Sequence, residues 1–81
     1  MNYFWTDHAL DLLADIYSTL TVTRQRALAA TVERVNQELA DHPLDVGEGR
    51  AFPNRVWIVP PVVVWYQVTA AGVEVGGITK S

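Results

Sequence analysis

Cysteine is absent from this 81-residue chain. With it go disulfides, thiolate catalysis and cysteine-based zinc sites, and a secreted domain of this size commonly needs such staples. The expected compartment is therefore the cytoplasm. Long apolar runs are missing as well. No stretch approaches the roughly 18 residues of a membrane span. The start Met1-Asn2-Tyr3-Phe4-Trp5 lacks the basic and apolar regions of a signal peptide, so neither a membrane segment nor processing is expected. Positive charge is also scarce. Six Lys+Arg against nine Asp+Glu give a net charge of −3 and a pI near 5.1, whereas a free-standing nucleic-acid binder typically has a pI above about 9. Strong affinity for free nucleic acid is not expected.

What is present favours a folded domain. Hydrophobic residues make up 49% and charged residues 19%, far from the composition of a disordered chain. The length suits one domain spanning residues 1–81, without repeat or linker. A chain this short buries only about 60% of its unfolded surface, which makes a homodimer or a partner complex plausible.

The pattern of apolar residues sets the elements. Met1 to Trp5 reads as a short strand, after which Thr6 can cap a helix with Asp7 in its first turn. Leu12, Leu13, Ile16, Tyr17 and Leu20 step by three and four along that helix, with Asp7, Asp11 and Asp15 on the opposite row. Thr21 to Thr23 can cap a second helix carrying Leu28, Val32, Val35 and Leu39, which Pro43 ends near Ala40 to His42. After a loop to Gly49, two β-branched and aromatic runs, Arg55–Val59 and Val62–Val68, flank Pro60-Pro61 and read as a hairpin. The prolines leave the register open by one residue, and with it the faces that carry Trp57 and Trp65. A last strand starts at Val73-Glu74-Val75, with Gly76-Gly77 weakening or bulging it before Ile78. The expected fold is α+β, in the order β-α-α-β-β-β, with a helical hairpin packed on a small antiparallel sheet.

Few residues form a recognisable catalytic set. His8 and His42 lie far apart and read as solvated or capping groups, so no metal site and no cofactor are expected. Gly47-Glu48-Gly49 precedes a strand rather than a helix and reads as a flexible turn, not a phosphate loop. Ser18 and Ser81 stand in no nucleophile-elbow context. Charge is divided unevenly: residues 1–49 carry three basic and eight acidic groups, residues 50–81 three basic and one acidic. Arg50, Arg55 and Lys80 in that second part, beside Trp57, Trp65 and Tyr66, suit stacking and pairing with RNA or docking of an acidic peptide.

The strand, the helical hairpin beginning Ala9-x-x-Leu12-Leu13-x-x-Ile16, the Leu39-to-Pro43 ending and the antiparallel strands together resemble the RelE/ParE toxin superfamily. The resemblance covers almost the whole chain. Its most specific segment is Val64-Trp65-Tyr66-Gln67-Val68, a short turn and Val73-Glu74-Val75, which looks like the family's central hairpin with its aromatic Tyr. Arg50 and Arg55 stand before that hairpin, where relatives also place basic residues. The resemblance implies a plasmid-stabilisation-like, growth-inhibiting toxin held silent by an antitoxin protein. Some members cut mRNA in the ribosome and others poison DNA gyrase by protein contact.

The nuclease pattern is incomplete here. The arginine that such nucleases carry three residues before the tyrosine corresponds to Val63, and Lys80 is the one basic residue after the hairpin. Metal-free RNA cleavage needs groups that deprotonate a 2′-hydroxyl and others that stabilise developing phosphate charge. Arg50, Arg55, Tyr66 and Lys80 are the remaining catalytic candidates, and Arg50, Arg55, Trp57, Trp65 and Lys80 the partner-binding candidates. The expected activity is inhibition by binding a cellular target, gyrase or ribosome being the family's examples. The alternatives are a ribosome-associated mRNA endoribonuclease and a degenerate, non-toxic interaction module.

Overall fold

The computed structural model describes residues 2–51 and 53–81. Seven elements follow one another: β1 (Tyr3–Trp5), α1 (Asp7–Ser18), α2 (Val22–Asp41), β2 (Glu48–Gly49), β3 (Asn54–Val59), β4 (Val62–Thr69) and β5 (Gly72–Lys80). Two helices cover one face of a five-stranded mixed sheet, so the class is α+β. No helix among the described residues is long and apolar enough to cross a membrane.

Both helices begin where a threonine meets the amide donors that the first turn leaves unpaired. The Thr6 hydroxyl accepts from the Ala9 amide at 3.1 Å, and the Thr21 hydroxyl from the Arg24 amide at 3.3 Å. Between them, the Gln25 side-chain amide donates to the carbonyls of Tyr17 and Leu20, closing the end of α1 against the start of α2. His42 ends α2 by donating its amide to Glu38 O at 2.7 Å. Ala9 and Ile16 of α1 and Leu28, Val35 and Leu39 of α2 are buried, and they meet Val59, Val62, Val64, Val73, Val75 and Ile78 of the sheet. Asp7, Asp11 and Asp15 stay exposed on the other side of α1.

The strand order is β1-β5-β4-β3-β2. Two features depart from the small antiparallel sheet expected from sequence. First, β1 pairs with β5 in parallel, Tyr3 opposite Val73 and Trp5 opposite Val75. Parallel pairing requires a long connection, and the helical hairpin together with β2, β3 and β4 supplies it. Second, Glu48–Gly49 adds a two-residue edge strand opposite Val56 and Arg55, within the segment read as a turn. Two residues are too few to display an alternating pattern.

The expected bulge is present, and it explains how one face of β5 stays apolar. Trp65 pairs with Gly77 and Tyr66 with Val75, so Gly76 has no opposite number. One extra residue reverses the inward–outward alternation. Val73, Val75 and Ile78, which are out of step in a regular strand, therefore all face the helices and are buried. Register also settles the tryptophans. Val56 lies opposite Trp65 and Trp57 opposite Val64, which puts the two indoles on opposite faces. Trp57 packs half-buried against the core under the helices, while Trp65 is 46% exposed on the uncovered face, its ring against Gly77.

At the other edge, the Trp5 indole Nε1 donates to Asn36 Oδ1 at 2.8 Å, tying β1 to α2. The start of β5 approaches the backbone before β1 so closely that a side chain at Gly72, where φ is +133°, would begin 2.5 Å from Asn2 O. Substitution of Gly72 by Ala is expected to cost about 1–3 kcal/mol through this contact and the strained φ. Leu28→Ala, at a position with no exposure, is expected to cost about 2–5 kcal/mol by leaving a cavity. Urea unfolding of each variant measures both losses.

Candidate functional site

Arg55 and Tyr66 are a cross-strand pair on the helix-side face of the sheet, at the end where α2 has already terminated. The segment that follows α2, residues 42–47, folds back over them. The Arg55 guanidinium donates from Nη2 to the carbonyls of Val46 (3.1 Å), Leu44 (3.2 Å) and Gly47 (3.4 Å), and from Nε to the Tyr66 hydroxyl oxygen (3.2 Å). The Tyr66 hydroxyl has one proton for two carbonyls, Val46 O at 2.7 Å and Pro43 O at 2.9 Å. Two side chains thus hold the carbonyls of four residues that have left regular secondary structure.

Gly47 completes this clasp. Its φ is +67°, and a Cβ there would lie 2.6 Å from Val56 O and 3.0 Å from the Tyr66 hydroxyl. A backbone without a side chain is what allows the loop to lie against β3 and β4 and then pair as β2. The segment read as a flexible turn is therefore a tightly fitted one.

Arg50 enters from the β2–β3 connection. Its amide donates to Asn54 O at 2.8 Å and the Asn54 amide donates to Ala51 O at 2.9 Å, closing the turn that brings Arg50 towards Arg55. The Arg50 side chain is half-exposed and pairs with Glu48 at 3.2 Å. Arg50 and Arg55 line one hollow of about 250 Å³ together with Leu44, Gly49, Pro53, Asn54 and Val68.

The remaining candidates lie elsewhere. Lys80 sits opposite Val62, four residues along β4 from Tyr66, which is roughly 13 Å at the usual strand rise. There its Nζ donates to the Thr19 hydroxyl at 3.0 Å. Trp57 packs half-buried against the core and Trp65 faces away from the helices, so the two indoles stand on opposite faces of the sheet. The structure therefore brings together Arg50, Arg55 and Tyr66 of the sequence candidates and separates Lys80 from them, while each indole borders part of the set: Trp65 lines a hollow with Arg55 and Tyr66, and Trp57 one with Arg50. The His42 side chain lies 3.8 Å from Asp45, and no group of three His, Asp or Glu residues among the described residues is placed to hold a metal ion.

Chemically, the pair is poorly placed for proton transfer. Tyr66 is 3% exposed, and a general base or acid must come within hydrogen-bond reach of the group it serves. Its hydroxyl is already engaged with carbonyls and Arg55, so these two residues organise the loop, while the face of Arg55 towards Arg50 remains the accessible part. Leu44, Gly47 and Asn54 complete the arrangement and were not singled out in sequence as site residues: the back-folded loop alone brings Leu44 and Gly47 to Arg55, and Asn54, its neighbour on β3, carries no chemical signal of its own. No family model matches this chain, and no curated protein matches it in sequence.

Removing one partner of a buried hydrogen-bonded set leaves the others unsatisfied. Tyr66→Phe is accordingly expected to destabilise the protein by about 1–3 kcal/mol and to raise amide hydrogen exchange selectively in residues 43–49. Hydrogen exchange read by NMR checks this, and unchanged protection in that segment would show that the phenol does not hold it.

Proposed function

We propose that this chain is a toxin-like protein of the RelE/ParE kind, cytoplasmic, silenced by an antitoxin protein and inhibiting growth mainly by binding a cellular target. The architecture supports the resemblance drawn from sequence: an N-terminal strand, a helical hairpin and a run of antiparallel strands, with Tyr66 and Trp65 in the central hairpin. The observation that carries binding over RNA hydrolysis is the engagement of Arg55 and Tyr66 with the carbonyls of residues 43–47, with Lys80 remote at Thr19. Metal-free cleavage of RNA needs several groups converging on one phosphate. Here the basic groups are divided between the two ends of the sheet.

The uncovered sheet face adds surface suited to a protein partner. Trp65 and Ile58, 46% and 64% exposed, lie on it with Phe4 further along. Exposed aromatic and branched apolar groups are common anchors of protein contacts.

One observation favours the ribonuclease reading as the alternative, namely that Arg50 and Arg55 share a hollow. The two readings separate in a paired experiment. On induced expression in a bacterial host the binding reading expects growth to slow, and expects mRNA on translating ribosomes to remain intact when the purified protein is added. Unimpaired growth without any antitoxin present overturns the toxin proposal and favours a non-toxic interaction module. Ribosome-dependent mRNA cleavage that disappears in Arg50→Ala overturns binding as the mode of action.

A further inference from the structure

The hollow beside the clasp has walls of two kinds. Leu44, Pro53 and Val68 are apolar, while Arg50, Asn54 and Arg55 present two cationic groups and an amide. Its lining among the described residues includes no carboxylate, and the Glu48 carboxylate that pairs with Arg50 is exposed. The positive charge at this recess therefore exceeds the negative.

Arg55 is the decisive group. Its Nε and Nη2 donate to Tyr66 and to three loop carbonyls, so its plane is fixed independently of any ligand. Its Nη1 has no hydrogen-bond partner among the described residues. That nitrogen lies 3.7 Å from the point where a side chain at Gly49 would begin, so Gly49 leaves it uncovered. A guanidinium immobilised on one side and open on the other loses little further freedom when it grips an anion.

Size and lining select the anion. About 250 Å³ is below the roughly 300–1,000 Å³ typical of sites for drug-sized ligands and cofactors. It suits one charged group with a short aliphatic body. Among the described residues the walls of the hollow offer no aromatic ring on which a nucleobase could stack, which RNA recognition ordinarily uses; the Trp65 ring belongs to a separate hollow that Arg55 also borders.

We propose that this hollow is a carboxylate-binding site, whose ligand is an acidic residue with an aliphatic neighbour presented by a protein partner. Arg55 Nη1 and the Arg50 guanidinium hold the carboxylate, and Leu44, Pro53 and Val68 receive the aliphatic part. The source of the ligand rests on the binding function proposed above; the chemistry of the recess does not.

The test is an NMR titration of the full chain with 3-methylbutanoate, compared with 3-methylbutanamide and inorganic phosphate. Saturable shifts are expected at the amides of Gly49, Arg50, Asn54 and Val68 and at the Arg55 Nε–H. The neutral amide should bind at least about ten-fold more weakly, because it lacks the charge-assisted hydrogen bonds. Arg50→Gln alters a half-exposed side chain outside the clasp; it should weaken binding at least about three-fold while leaving the Tyr66 signals in place. Arg55→Gln should remove binding altogether. Equal affinity for acid and amide, tighter binding of phosphate than of the carboxylate, or shifts that avoid these residues would each overturn the proposal. Growth arrest by a protein that does not bind the carboxylate removes this site and leaves the toxin reading standing; carboxylate binding without growth arrest does the reverse.

Discussion

A guanidinium and a phenol on adjacent strands hold the carbonyls of residues 43–47, and most of what distinguishes this molecule depends on that contact. Backbone carbonyls that leave a helix and do not enter a sheet must find donors. Arg55 and Tyr66 supply them from β3 and β4. The consequence extends in three directions. The loop is pressed against the sheet at Gly47, its continuation pairs as β2, and the turn after β2 carries Arg50 to the same end of the molecule. A hydrogen bond to a charged donor contributes about 1.5–3 kcal/mol when buried, and less where solvent screens it as it does on the outer side of Arg55. The clasp is thus a local ordering device rather than the main source of stability, which comes from the aliphatic core.

That core exists on one side only. The helices cover the face carrying Val62, Val64, Val73, Val75 and Ile78, and the bulge at Gly76 allows all five to share it. The other face carries Trp65, Ile58 and Phe4 with no helix over them. Two surfaces with different chemistry result: a sheet face with exposed aromatic and branched apolar residues, and a cationic recess at the end of the sheet beside the back-folded loop. The proposals for function and for carboxylate recognition draw on these surfaces separately, which is why they can fail separately.

Local signals carried the fold a long way. Thr6 and Thr21 cap their helices as their side-chain chemistry implies, the spacing of Leu28, Val35 and Leu39 marks the buried stripe of α2, and Pro60-Pro61 falls in the connection between β3 and β4. Even the bulge was legible, since adjacent glycines interrupt a strand at the point where the buried residues change step. The candidate site was legible only as a set of residue types. Arg50, Arg55 and Tyr66 converge, but Lys80 does not, because its distance from them depends on strand register and not on its place near them in charge composition.

What the chain determined by itself was therefore everything set within a few residues: caps, helical stripes, strand runs and the glycine pair. Tertiary structure alone decided that β1 joins β5 in parallel, that Trp57 turns inward while Trp65 turns outward, that Gly47 is tightly fitted, and that one side of the Arg55 guanidinium is taken up by loop carbonyls. Each of those outcomes depends on which strand lies beside which, and at what register. Short-range propensity cannot encode that choice, because it arises from burying one shared apolar layer and satisfying backbone groups brought together from distant parts of the sequence.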